Sequence, residues 1–279
     1  NNEKMSNIKE YIKSQGIEIK GIKFGKSKAQ YFMDKDENAI YQGISSIKYC
    51  NDQIADELYE LSKNHYDNFV DFLSDIISKT SVDDRQLHIL TTLNFFSEFG
   101  KNKYLLSIID MYNLLGKCKT LKKDKIASLN IREEDVRKCA EKETLKQYSS
   151  VDKDKLIKLM ISGLENKPLS IKEQIVYEQE YLGNIMYKNP KAPKDMYYVL
   201  ECKFYKDKTK PYLMLYNMRD GEYLKTKITS GKSFIESPFI AGNVINVKEF
   251  GERNKMKKVG GDWIKTDEKE RIVKKWDVY

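Results

Sequence analysis

Tyr212–Ile228, YLMLYNMRDGEYLKTKI, constrains the fold more than any other stretch of the chain. Two alternating runs flank Arg219-Asp220-Gly221-Glu222, and an Asp-Gly pair between such runs signals a tight hairpin, because glycine supplies the positive φ of the turn. The period of two then sorts the side chains. Leu213, Leu215, Leu224, Thr226 and Ile228 share one face; Tyr212, Met214, Tyr216, Tyr223, Lys225 and Lys227 share the other. Rings interleaved with ammonium groups suit single-stranded nucleic acid, where bases stack on aromatic faces and lysines follow the phosphates. The plainer reading of the same residues is an amphipathic hairpin whose tyrosines pack beneath a loop.

The strands around this hairpin point to a small β-barrel. Tyr197–Tyr205, Asn243–Phe250, Trp263–Thr266 and Arg271–Val278 alternate between turns rich in Gly, Asp and Lys, with a short helix or loop at Ser233–Phe239. Such a run of short strands is expected to form an oligonucleotide/oligosaccharide-binding (OB) type barrel over residues 195–279. Charge agrees: residues 191–279 hold 20 Lys+Arg against 13 Asp+Glu, whereas residues 1–190 hold 30 against 29. A basic surplus confined to one domain is the footprint of polyanion binding.

Upstream the period changes to 3.6. From Ser45 to about Leu164 the apolar residues recur at helical spacing, as in Ile54, Leu58 and Leu61, or Phe69, Phe72, Leu73 and Ile76. Ser81 is expected to cap a helix with Asp83 and Asp84 in its first turn, and Ser170 another over residues 168–188. A helix over residues 3–15 and a small β segment over residues 17–44 precede these. Residues 117–155 are rich in Lys and Glu with weak periodicity and are expected to be loosely helical. The Pro-flanked NPKAPK at 189–194 reads as a linker. The expected class is therefore α+β and multi-domain: an α/β segment at 1–48, a helical domain with helix-hairpin-helix elements at 49–190, and the OB-like β-barrel at 195–279.

Most catalytic and metal chemistry is excluded by spacing. Gly25-Lys26-Ser27 and Gly231-Lys232-Ser233 lack the glycine a phosphate-binding loop needs five positions earlier, where Lys20 and Thr226 stand. Asp34, Asp36 and Asn38 imitate half a calcium loop, but Ala39 and Ser45 occupy its glycine and glutamate positions, so a turn is expected. Cys50, Cys118, Cys139 and Cys202 form no C-x-x-C pair and are expected to be reduced thiols. Asp83/Asp84 and Asp152/Asp154 stand in polar helical surroundings unlike a metal-binding catalytic strand. No apolar run nears the roughly 18 residues of a membrane span, and the first residues lack the apolar centre of a signal peptide, so a cytoplasmic protein with no membrane partner is expected. The sequence opens on Asn1, which suggests a fragment or processed product.

Two helical hairpins are candidate phosphate contacts. Ile47-Lys48-Tyr49-Cys50-Asn51-Asp52 leads into a long helix, and LTTLNFFSEFGKNKYLL, residues 90–106, reads as helix, turn, helix. Such hairpins present lysines, backbone N–H groups and a helix N-terminus to phosphate. Lys48, Gly100, Lys101, Asn102 and Lys103 are the residues so placed.

The order of these segments resembles the C-family of bacterial and phage replicative DNA polymerases, typified by the α subunit of DNA polymerase III. Residues 12–48 resemble the end of that family's fingers at Gly16-Ile17, Ser27, Gly43-Ile44 and Ile47-Lys48. QLHILTTLNFFSEFG, residues 86–100, resembles its helix-hairpin-helix region, YEQEYLG, residues 177–183, a following segment, and residues 209–228 the strand-turn-strand core of its OB domain. There are departures. Tyr49 and Asn51 replace the glycines of the first hairpin, which puts close backbone approach to phosphate there in question; the prolines before Ser27 are absent; and Gln179-Glu180-Tyr181-Leu182 is a poor copy of a clamp-binding motif. The resemblance implies the DNA-handling C-terminal part of a nucleotidyltransferase, with single-stranded template and primer-template duplex as partners and a sliding clamp as a further one. It places the catalytic palm, and its Mg2+, before residue 1, so no catalytic residue and no cofactor is expected in this chain. The competing readings are a non-enzymatic helical/β-barrel interaction protein of phage or mobile-element origin and a small nuclease using Asp83/Asp84.

Overall fold

The computed structural model describes residues 11–12, 14–116 and 119–279, which separate into two compact units, Asn1–Asn184 and Ile185–Tyr279. The helix expected over residues 3–15 falls mostly outside the described residues; Tyr11, Ile12 and Ser14 are helical, and Gly16 follows at φ +72°.

In the first unit, β1 (Glu18–Lys20), β2 (Phe32–Asp34) and β3 (Ala39–Tyr41) form a sheet in the order β1-β3-β2, with β1 and β3 parallel. Asp34 Oδ1 accepts from the backbone N–H groups of Asp36 and Glu37, so the calcium-like segment is an Asx-type turn. A 3-10 turn, Ile44–Ser46, follows. Gly43 permits it: a Cβ there would lie 2.5 Å from the Ala29 carbonyl oxygen, a close approach that only glycine allows.

Four helices come next: α1 (Asp52–Leu61), α2 (Phe69–Lys79), α3 (Asp84–Thr92) and α4 (Asn102–Leu115). Side-chain caps start the first three. Asn51 accepts from the Ile54 N–H, and Asn68 from Val70 and Asp71. At α3 the cap is Asp83 rather than Ser81: Asp83 and Gln86 form a reciprocal capping box, while Ser81 donates its N–H and hydroxyl to Glu57. Gly116 ends α4 at φ +69°.

Residues 117–155 depart from the expected loose helix. Among the described residues, β4 (Leu121–Lys122), α5 (Lys123–Ser128), α6 (Glu133–Cys139), β5 (Lys142–Glu143), β6 (Gln147–Ser149) and α7 (Lys153–Ile161) make a small sheet in the order β4-β6-β5 flanked by short helices. The elements are too short to show a period, yet Ile126, Val136 and Tyr148 join the core of the unit. That core is shared by the β segment and the helices: Phe24 packs within 6.1 Å, ring centre to ring centre, of Phe72, Phe95, Phe96 and Phe99. Finally α8 (Ile171–Leu182) starts in a Ser170/Glu173 capping box and ends at left-handed Gly183.

The second unit is one antiparallel sheet, β7 (Met196–Lys203), β8 (Tyr212–Asn217), β9 (Tyr223–Lys227), β10 (Val244–Val259) and β11 (Asp262–Val278), ordered β11-β10-β7-β8-β9, with α9 (Gly231–Glu236) between β9 and β10. The expected barrel is not closed by a ladder. The edge strands β9 and β11 meet at one isolated parallel bridge, Ile228 with Val273, and at a hydrogen bond from the Thr226 hydroxyl to the Arg271 carbonyl. Trp263–Thr266 and Arg271–Val278 are a single strand. β11 pairs with β10 from Val278 back to Asp262, β7 reaches only Val244–Asn246 of β10, and β9 touches β11 as far as Glu270, so the stretch beyond Arg253 and Glu270 continues as a two-stranded ribbon. Phe234, Phe239 and Trp276 pack together at the base of the sheet. The Pro-flanked 189–194 segment is tied to this unit through Asn189 N to the Met218 carbonyl and the Asn217 amide to the Lys194 carbonyl.

Candidate nucleic-acid interface

The turn between α3 and α4 brings Gly100, Lys101, Asn102 and Lys103 together, but in two roles. The side chains of Lys101 and Lys103 are exposed. Asn102 is 1% exposed; its Nδ2 donates to the Thr92 carbonyl and to Gln174 Oε1, and its Oδ1 accepts from the N–H groups of Leu169 and Lys103. It fastens the turn to α8 and is not available to a ligand. The helix N-terminus is also engaged, because Lys101 N–H donates to Asn166 Oδ1 and Tyr104 N–H to the Lys167 carbonyl. Gly100 sits at φ +151°, and a Cβ there would press on the Tyr104 ring at 3.0 Å. Of the groups expected to meet phosphate at this hairpin, the two lysine side chains are the ones left open to solvent, while the first amides of α4 are engaged within the chain.

The other hairpin, Ile47–Asn51, is held from two sides. Lys48 N–H donates to the Tyr181 carbonyl at 3.0 Å, and Gln86 Nε2 donates to the Tyr49 carbonyl at 2.9 Å. Between these anchors Tyr49 adopts φ +72°, a left-handed conformation that costs a non-glycine residue about 1–2 kcal/mol. Its ring is 41% exposed and lies under the Arg85 guanidinium, 3.2 Å from guanidinium carbon to ring centre, with Lys48 Nζ at 5.0 Å. The Lys48 ammonium, with Arg85 assisting, holds the Tyr49 hydroxyl below the ordinary phenol value. On the α8 side, Tyr177 and Tyr181 stack with centres 6.0 Å apart and planes 7° apart. Burial pushes the Tyr181 hydroxyl up, Glu180 and Tyr177 add to this, and the Arg85 charge opposes it. Of this group only Lys48 was expected from the sequence. The signal for Tyr49 was present, since an aromatic residue stood where the resemblance called for glycine. Nothing local marked Arg85, Tyr177 or Tyr181.

In the second unit the hairpin has the expected register, Tyr212 opposite Lys227, Met214 opposite Lys225 and Tyr216 opposite Tyr223, with its turn at Gly221, φ +83°. The five candidate side chains, Tyr212, Tyr216, Tyr223, Lys225 and Lys227, then divide. Tyr212 (48% exposed), Tyr223 (54%) and Lys225 are open to solvent, and Tyr205 packs edge-on against Tyr212 at 5.1 Å. Tyr216 is fully buried and donates its hydroxyl to the Tyr187 carbonyl at 2.6 Å, so it cannot present a stacking face. Lys227 is largely covered and pairs with Glu270 at 2.6 Å. Its charge is engaged within the sheet.

Asp83 and Asp152 are helix caps, of α3 and α7. Among the described residues no group of three or more His, Cys, Asp or Glu side chains could hold a metal ion, and no helix is long and apolar enough to cross a membrane. Cys50, Cys139 and Cys202 are free thiols; Cys118 lies outside the described residues. Comparison with known proteins bears on the first unit. Residues 16–106 match a family model described as a helix-hairpin-helix motif, a stretch that contains both hairpins and ends at the fifth residue of α4. That match is consistent with a DNA-binding region. No curated protein matches the chain.

Proposed function

We propose that the protein binds DNA, with the helix-hairpin-helix unit on duplex backbone and the outer face of the β8–β9 hairpin on single strand, as the DNA-handling part of a C-family replicative polymerase. The observation that carries this reading is the helix-hairpin-helix match over residues 16–106, within which Lys48, Arg85, Lys101 and Lys103 are all exposed cations at or beside the two hairpins. The segment order described above supports the polymerase assignment, as does the second unit: three antiparallel strands, a short helix, then two strands that return beside the first is the connectivity of an OB domain. Tyr205, Tyr212, Tyr223 and Lys225 supply rings and charge to the strand-binding face, with Tyr216 and Lys227 holding it from beneath.

Titration of a blunt duplex with the protein over a range of salt tests the duplex arm. The expected result is a linear fall of log affinity with log salt. Lys101→Ala with Lys103→Ala reduces that slope by about 1.8, at roughly 0.9 for each phosphate no longer neutralised. Binding that ignores salt, or a slope unchanged in the double variant, would remove the hairpin lysines from the interface.

A further inference from the structure

The first hairpin carries a feature that backbone phosphate contact does not explain. A hairpin that approaches a phosphate through its N–H groups is served by glycine, which leaves the amides bare and adopts positive φ without strain. Here the position at φ +72° is a tyrosine, kept there by Gln86 from α3 and, one residue earlier, by the Lys48–Tyr181 backbone bond from α8. Strain that the surrounding structure over-determines is characteristic of sites that use the strained group. What the strain delivers is an exposed ring backed by a guanidinium plane, with two further stacked rings on α8 whose backbone touches the same hairpin. Aromatic faces and arginine planes recognise unpaired bases; paired bases inside a duplex offer them no face.

We propose that Tyr49, with Arg85 behind its ring and the Tyr177–Tyr181 pair beside it, is a stacking site for an unpaired base at the junction of duplex and single strand. This rests on the reading of the first unit as a duplex binder and adds a second kind of contact to it. The hairpin at Gly100–Lys103 supplies phosphate contacts, and the hairpin at Ile47–Asn51 detects where pairing ends.

The test uses the full chain and three probes: a blunt hairpin duplex, the same duplex with a short overhang carrying 2-aminopurine at the junction, in both polarities, and the same overhangs with an abasic residue in its place. The abasic probe keeps every phosphate and removes only the base. The parent protein is expected to quench the 2-aminopurine fluorescence for one polarity and to prefer that overhang over its abasic counterpart by about tenfold, the low end of what one base-aromatic stack supplies. Tyr49→Gly should lose both the quenching and the preference. Its melting temperature should equal or exceed the parent's, since glycine is at ease at this φ, and its affinity for the blunt duplex should hold or rise. Tyr49→Trp should keep the preference. Two results would overturn the proposal while leaving duplex binding intact: a parent that binds the blunt duplex but treats base and abasic overhangs alike, or a Tyr49→Gly variant that still quenches and still discriminates. Failure to bind any of the three probes would instead overturn the DNA-binding reading beneath it.

Discussion

Asn102 stands between two exposed neighbours, Lys101 and Lys103, just after the half-buried Gly100, and only its fold-back into the interior separates it from the two lysines. All four of its bonded partners, Thr92, Gln174, Leu169 and Lys103, belong to the chain. Asn102→Ala would leave the Leu169 N–H and the Thr92 carbonyl without this partner in a buried site. Each buried unsatisfied group costs about 1–3 kcal/mol, so the variant should lose about 3 kcal/mol of stability by denaturant unfolding. It should keep the duplex salt slope of the parent, because no charge has been removed. A reduced slope with unchanged stability would return Asn102 to the interface. Tyr216 makes the same point in the other unit: alternation put it on the ring-and-lysine face correctly, but a period of two cannot say whether a later or earlier segment covers that face. Here the Tyr187 carbonyl does.

Elements were legible where a period ran long enough or a cap was chemically explicit. The β8–β9 hairpin, α4 ending at Gly116 and the Ser170 start of α8 follow directly from local residues, whereas α8, expected to run to residue 188, ends at Leu182 before left-handed Gly183. Residues 119–149 were not legible because their helices and strands are two to seven residues long, shorter than two helical turns, and their order comes from burial of Leu121, Ile126 and Tyr148 in a distant core. The β10–β11 ribbon was split into separate strands because Lys and Glu fill both faces of its stem, which erases the alternation. Its pairing is carried instead by the ladder and by cross-strand ion pairs such as Arg253–Glu270 and Lys255–Glu268. Glu270 also receives Lys227, so one carboxylate joins β9, β10 and β11. Burial pushes the Glu270 carboxyl up, but Lys227 and Arg253 outweigh it and hold it below its ordinary value of 4.5. A depressed carboxylate contributes stability that is fully present above that ordinary value and is lost as pH falls through the lowered one. The second unit should therefore weaken as pH drops below 4.5. Glu270→Gln should remove that portion of the acid dependence and lower stability at neutral pH, where it strands the covered Lys227. An acid limb unaltered by the substitution, followed by near-UV circular dichroism, would count against the three-strand clasp.

At the scale of the whole molecule the two units differ in how charge can act. Residues 1–190 are close to neutral, 30 Lys+Arg against 29 Asp+Glu, so the duplex binding proposed for the first unit rests on a few placed cations rather than on an overall field. Residues 191–279 carry the basic surplus, 20 against 13, which on the proposed reading attracts a strand before the exposed tyrosines engage it. On the proposed reading the cations of the two units meet different forms of DNA, so removing a lysine from one unit should not register on the form that the other unit binds. Lys225→Ala should then lower the salt slope on single-stranded DNA by about 0.7, and Tyr223→Ala should cost on the order of 1–3 kcal/mol of affinity with the slope intact if its ring stacks a base. Neither should change binding to a blunt duplex. The Lys101→Ala, Lys103→Ala pair should do the reverse, lowering the duplex slope and sparing the single strand, and the combined variant should show the sum of the two effects. Salt titrations of both DNA forms decide it: a Lys225→Ala variant that weakens duplex and single strand alike would mean that the second unit adds a general field instead of a strand-specific face.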